Sequence, residues 1–151
     1  MGAVYFYHLT DSLLEEALPQ LIDRAQGQGW RVLVRGRRPA LLDRLDNVLW
    51  QGPDDSFRAH GLAGDHDGDQ PILLGVDTPT DGFACVMSVD GADLTPAEIA
   101  QAERACILFD GHDGDALQRA RDQWKALTAA AVTAQYWAQD DGRWVKKAEA
   151  G

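Results

Sequence analysis

A chain of 151 residues with 14 Lys+Arg against 24 Asp+Glu, and so a formal net charge of -10, has the length of one domain and can bury roughly 68–70% of its unfolded surface without disulfide or metal staples. Hydrophobic residues at 45% and charged residues at 25% exclude wholesale disorder, and the longest apolar runs fall far short of the ~20 residues that a membrane-spanning helix needs. The acidic balance argues against nucleic-acid binding by the surface as a whole, because neutralising phosphates takes clustered Lys and Arg; it leaves room for a small basic patch.

Val and aromatic side chains from Ala3 to Leu9 predict a first strand. Thr10, Asp11 and Ser12 offer N-caps for a helix whose apolar residues, Leu13, Leu14, Ala17, Leu18, Leu21, Ile22 and Ala25, recur at helical spacing. Pro19 is expected to kink that helix or mark a second start, and Gly27 and Gly29 to stop it. Residues 30–34 predict a second strand, 35–39 a basic turn, and Leu41, Leu45, Val48 and Leu49 a second amphipathic helix ending near Trp50. Residues 51–70 carry Gly, Pro, Asp and His without periodicity and read as a long loop, which in a small domain points to function or disorder. Strands follow at 71–76 and 83–89. Thr95 and Pro96 open a short helix through about Arg104, and residues 105–109 form a fifth strand. Asp113 or Asp115 caps a long helix to about Ala131, and 132–138 is a last strand. Asp141 and Gly142 suit a turn into Arg143, Trp144 and Val145, and residues 146–151 are expected to fray.

Strands alternating with helices imply right-handed βαβ units. The expected fold is α/β: one Rossmann-like three-layer domain over residues 1–145 with a mostly parallel sheet. No Gly-rich phosphate loop follows any strand, and the first leads into His8-Leu9-Thr10-Asp11-Ser12, so the cradle that nucleotide-binding versions of this fold use is missing. No cofactor and no metal is expected. The start of the chain lacks a basic n-region, so secretion is not expected. Cys85 and Cys106, with apolar neighbours, read as buried thiols in a reducing cytoplasm.

Several constellations carry possible chemistry. His-Asp-Gly-Asp occurs twice, at His66-Asp67-Gly68-Asp69 and His112-Asp113-Gly114-Asp115. Histidine with carboxylates can hold a divalent metal and activate water, so a small metal-dependent nuclease or phosphohydrolase is the alternative reading. Both segments also read as acidic turns, the second with a helix N-cap. Ser12, Ser56 and Ser88 lack a nucleophile elbow, and no catalytic residue is assigned. Trp50 and Phe57 bracket the start of the polar loop, where an exposed ring either plugs the fold or anchors a partner. The long late helix has an apolar stripe of Leu117, Ala120, Trp124, Leu127 and Ala131, with Arg121 and Lys125 beside it at i, i+4 and Arg119 nearby. Cations next to apolar side chains suit a short peptide ending in an aromatic residue and a carboxylate.

Specific blocks support a family assignment: Phe6-Tyr7-His8-Leu9, residues 29–34, residues 45–50, Asp55-Ser56-Phe57, residues 60–64, Leu108-Phe109-Asp110-Gly111 and residues 120–125. In this order and spacing the sequence resembles the chi subunit of bacterial DNA polymerase III, part of the clamp-loader complex, over nearly its whole length. Tyr136-Trp137 and Gly142-Arg143-Trp144 resemble the longer-tailed members. The resemblance implies a non-catalytic adaptor, cytoplasmic and associated with the replisome. It would link the clamp loader, through the psi subunit or an equivalent, to the acidic C-terminal tail of single-stranded DNA-binding protein. It implies Arg121, helped by Lys125, as the tail-binding cations. Trp50 and Phe57 become the surface for psi or a helicase-like repair protein. Leu117 stands where well-known members carry a Lys, and Asp110 where they carry a Val. Strong direct nucleic-acid binding and membrane contact are not expected.

Overall fold

Four strand segments, at residues 32–36, 72–76, 85–88 and 104–110, read as near-continuous apolar runs rather than strict alternations and are buried along most of their length, the pattern of strands covered on both faces. The computed structural model describes residues 2–50, 60–62, 71–76 and 78–150. Among these, β1 (Ala3–Leu9), β2 (Val32–Gly36), β3 (His60–Leu62), β4 (Ile72–Val76), β5 (Cys85–Ser88), β6 (Arg104–Asp110), β7 (Thr133–Asp140) and β8 (Arg143–Ala150) form one sheet. Its order is β3-β4-β2-β5-β6-β1-β7-β8. All neighbours are parallel except β7 and β8, an antiparallel hairpin.

Four helices cover the sheet: α1 (Leu14–Gly27), α2 (Pro39–Trp50), α3 (Pro96–Gln101) and α4 (Gly114–Ala129). Strand alternation divides the core into two layers. On one face Leu18, Leu21 and Ile22 of α1 and Leu41, Leu42, Leu45 and Leu49 of α2 pack on Tyr7, Val34, Leu74, Met87 and Leu108. On the other, Ile99 of α3 and Ala120 and Leu127 of α4 pack on Val4, Phe6, Leu33, Val86, Ile107 and Ala134. This is the α/β three-layer domain that the alternation of elements predicts.

Three details depart from expectation. Thr10, Asp11 and Ser12 do not cap α1: Leu13 holds the N-cap position, and its amide donates to Glu16 Oε1 at 3.0 Å. The helix continues through Pro19 without a second start and stops at Gly27, as the glycine predicts. The third helix stops at Gln101, because Arg104 already belongs to β6. Residues 146–150, expected to fray, continue β8 and pair with residues 134–137 of β7. Asp141 (φ 52°) and Gly142 (φ 74°) make the tight turn before them, the left-handed pair that suits the twist of a two-residue hairpin. The predicted long loop contains β3; its other residues, and with them Phe57, lie outside the described residues.

Candidate functional site

The connection from β1 runs through α1 toward β2, and that from β6 runs through α4 to β7 on the opposite side. The strand order therefore reverses at β1 and β6, and a crevice opens beyond their C-terminal ends, the usual ligand position in open α/β sheets. A cavity of about 810 Å³ lies there, lined by Leu9, Ser12, Leu41, Phe109 and His112 among others. Its loop after β1 does present three successive amides to a single oxygen atom. That oxygen is internal: Gln139 Oε1 accepts from the N–H groups of Thr10, Asp11 and Ser12 at 3.0, 2.9 and 3.1 Å, and Gln139 Nε2 donates to Ser12 Oγ at 2.9 Å. A backbone concavity of the kind that elsewhere cradles phosphate is thus filled by a β7 side chain. Three arginines at this end are also engaged. Arg38 pairs with Asp90 at 2.7 Å, Arg44 with Glu15 at 3.4 Å, and Arg119 donates from Nε to the Gly91 carbonyl at 2.6 Å and pairs with Asp93 at 3.4 Å.

The other flank of α4 differs. Asp113 starts the helix, its Oδ1 accepting from the amides of Asp115 and Ala116, and the negative cap complements the helix dipole. Ala120 and Leu127 are buried under the helix, while Leu117 and Trp124 are half-buried. Trp124 meets Phe6 edge-on at 5.3 Å and Tyr136 at 5.8 Å. Tyr136 stacks on Phe6 and its hydroxyl lies 3.0 Å from His8 Nδ1. The His8 imidazole stacks on Phe109 at 5.0 Å, over Gly111, where any Cβ would collide with the ring. Burial first, then the charges of Arg121 and His112, lower the His8 pKa, against an opposing pull from Asp110. Arg121 and Lys125 stand exposed at the rim of this aromatic cluster. Neither makes an ion pair with a described residue.

The two cations singled out in the sequence therefore share one exposed side of α4. Arg119, close to them in sequence, turns to the opposite side and is consumed there. Leu117 sits on the aromatic side, and Asp110 is exposed, its carboxylate accepting from the His112 amide at 2.8 Å. Trp50 ends α2, which packs beside β3 and β4 at the far end of the sheet, and Phe57 lies outside the described residues. Of the two His-Asp-Gly-Asp segments, the first lies outside the described residues. The second is the turn into α4, with His112 Nε2 2.8 Å from the Thr10 carbonyl and Asp113 spent as the cap. Among the described residues no group of three His, Cys, Asp or Glu side chains could hold a metal ion. Cys85 and Cys106 are buried free thiols, and the hydrogen bond with Cys85, together with burial, pushes the Cys106 pKa up. Sequence reasoning missed His8, Tyr136 and Gln139 as parts of these arrangements, because the contacts that define them span about 130 residues of sequence.

No helix of the described residues is long and apolar enough to cross a membrane. A search of curated proteins found no match. The model of one protein family, described as DNA polymerase III chi subunit, HolC, matches residues 1–135. That span includes β1 through β6, all four helices and both cations of the exposed α4 flank, and by it the chain belongs to the DNA polymerase III chi subunit family.

Proposed function

We propose that this chi-family chain works as a non-catalytic adaptor that holds the acidic, aromatic-ended C-terminal tail of single-stranded DNA-binding protein on α4 and a clamp-loader component, psi or its equivalent, at the distant end of the sheet. The observation that carries the reading is the pair Arg121 and Lys125, exposed and without a carboxylate partner among the described residues, beside the half-buried rings of Trp124, Tyr136 and His8. A guanidinium takes a terminal carboxylate through two hydrogen bonds, and the neighbouring rings offer an apolar seat for the aromatic residue before it. Trp50, at the end of α2, and Phe57 are the residues proposed for the second partner, a helicase-like repair protein being a possible competitor for that surface. α2 packs beside β3 and β4, whereas α4 packs on β6 and β7. Two partners bound at opposite ends of the sheet do not compete for space, and tethering raises their local concentration. Contact with DNA is then delegated to the tail's owner, in keeping with a net charge of -10.

Calorimetric titration with a synthetic acidic peptide ending in an aromatic residue tests the tail site. Binding is expected to weaken with added salt and to fall at least tenfold in Arg121→Glu while the thermal midpoint holds. Equal affinity in the variant would remove the assignment. Phe57→Ala is expected to reduce recovery of the clamp-loader partner in pull-downs, and undiminished recovery would refute that half.

A further inference from the structure

The family match ends at residue 135, within β7. The remainder of β7, the turn and all of β8 lie beyond it. This extension has an unusual charge for the chain. Residues 136–151 are balanced, with three Lys and Arg against three Asp and Glu, whereas residues 1–135 hold eleven against twenty-one. Two of the three lysines in the sequence, Lys146 and Lys147, fall in the extension, and the third, Lys125, is on α4.

Register shows where these cations point. Residues directly opposite in an antiparallel pair share a face. Ala134 packs in the core layer under α4, as does Tyr136, so alternation puts Ala138 and Asp140 on the same face. Val145 lies opposite Ala138, and Arg143 opposite Asp140. Lys147 is the extra residue of a bulge between the Tyr136–Ala148 and Trp137–Lys146 pairs, and its ammonium reaches Asp140 at 3.8 Å. Trp144 faces the other way, edge-on to Tyr7 at 5.0 Å. The α4 face of β8 therefore offers Arg143, Val145 and Lys147. Val145 is 38% exposed, one of two large hydrophobic side chains that the described surface leaves open. Across the sheet His8, Ala138 and Val145 form one row, with Arg121 of α4 in electrostatic reach of His8.

We infer that the β7–β8 hairpin is the second wall of the peptide site, with Arg143, and Lys147 on exchanging its exposed pair with Asp140, holding acidic residues upstream of the terminal aromatic and Val145 giving them an apolar contact. The inference rests on the tail-binding reading of Arg121 and Lys125. Charge selects the occupant: cations on the exposed side of α4 and on the same-facing side of β8, in a chain of net charge -10, suit an extended acidic segment. A second copy of this acidic chain suits them less.

Fluorescence anisotropy with two labelled peptides tests this. One carries only the terminal aromatic and the few residues before it; the other extends upstream through the acidic run. The double variant Arg143→Gln, Lys147→Gln keeps side-chain length and is expected to weaken the long peptide three- to tenfold and leave the short one unchanged. Val145→Thr, which keeps the β-branch, is expected to weaken the long peptide about twofold. Thermal midpoints confirm that each variant folds. If the wild-type protein binds both peptides and the hairpin variants bind the long one equally well, the second wall is wrong although the α4 site stands. If neither peptide binds the wild-type chain, the tail reading itself fails. If light scattering shows a dimer that the double variant dissolves, the hairpin serves a second copy and the inference is overturned.

Discussion

Arg119 and Arg121 lie on the same helix, two residues apart, and have opposite fates. Arg119 points toward the switch-point side, where its Nε meets the Gly91 carbonyl and a terminal nitrogen pairs with Asp93. Arg121 points to the β7 side and meets no carboxylate among the described residues. The same contrast separates the two ends of the charge distribution. Around the carboxyl ends of β2 and β5 the guanidinium groups of Arg35 and Arg38 are bound to Glu98 and Asp90. Along α4 and β8, Arg121, Lys125 and Arg143 have no carboxylate partner among the described residues. Local composition does not tell which cation is paired; that depends on which side of an element the residue occupies.

The largest test of the structural end is Arg35. Its guanidinium takes both Glu98 oxygens, at 3.1 and 2.8 Å, and donates to the carbonyls of Thr78 and Asp93. It ties the end of β2 to the loops before β5 and α3. Arg35→Ala leaves a partly buried carboxylate and two carbonyls without a donor, and a loss of about 2–3 kcal/mol is expected in chemical denaturation; the side-chain exposures of 10% and 24% reduce the figure for a fully buried pair. The hydrogen bonds from Arg35 lower the Glu98 pKa. The contribution is therefore present at neutral pH and is lost as pH falls below the ordinary carboxylate range, and the variant should show a flatter acid limb. An unchanged denaturation midpoint would mean that the pair is dispensable. Gln139→Leu comes next, at about 1–3 kcal/mol, because three amides lose their acceptor together. Hydrogen exchange at Thr10, Asp11 and Ser12 should accelerate in that variant; unaltered protection would show that the plug is not what holds the loop.

On the binding side the expected pattern inverts. Arg121→Glu should move peptide affinity by at least tenfold and the denaturation midpoint hardly at all. Arg119→Ala should do the reverse, losing about 0.5–1 kcal/mol of stability, as suits a bond that is partly exposed, with peptide affinity within twofold of wild type. If both substitutions weaken the peptide equally, the contrast between the two sides of α4 is not functional.

Much of this was legible in the sequence, for reasons that differ by element. The helical apolar spacing of Leu18, Leu21, Ile22 and Ala25 found α1, and Thr95-Pro96 with Glu98 found α3, whose capping box is present. Arg121 and Lys125 could be placed on one side of a helix because i, i+4 spacing settles it. Three things were hidden. The polar residues Thr10, Asp11 and Ser12 looked like caps because that is their usual local use; the partner that takes them, Gln139, is distant in sequence. Residues 146–150 looked frayed because Lys146, Lys147 and Glu149 are poor strand formers, but their edge position needs only one paired side and leaves those side chains in solvent. Arg119 looked equivalent to Arg121 because nothing local reveals Asp93 across the helix.

The smallest effect is a pH dependence at His8. Facing it are the Tyr136 hydroxyl, the Phe109 ring, and the charges of Arg121, His112 and Asp110. Its pKa is lowered, chiefly by burial, so between the folded and the ordinary value the unfolded chain binds the extra proton. Native stability therefore declines as pH drops below about 6.5 and levels off below the folded pKa. Bound anionic peptide acts in the opposite direction: it offsets the charge of Arg121 and favours the imidazolium. Peptide affinity should thus rise about two- to threefold from pH 7.5 to 5.5, a range in which ordinary carboxylates stay ionised. NMR titration of the His8 ring should show its pKa increase when peptide is added. His8→Gln removes the titrating group while retaining a polar side chain, and its peptide affinity should be flat over that range. Were the variant to keep the wild-type slope, the proton would belong elsewhere and His8 would only fill space beneath Arg121.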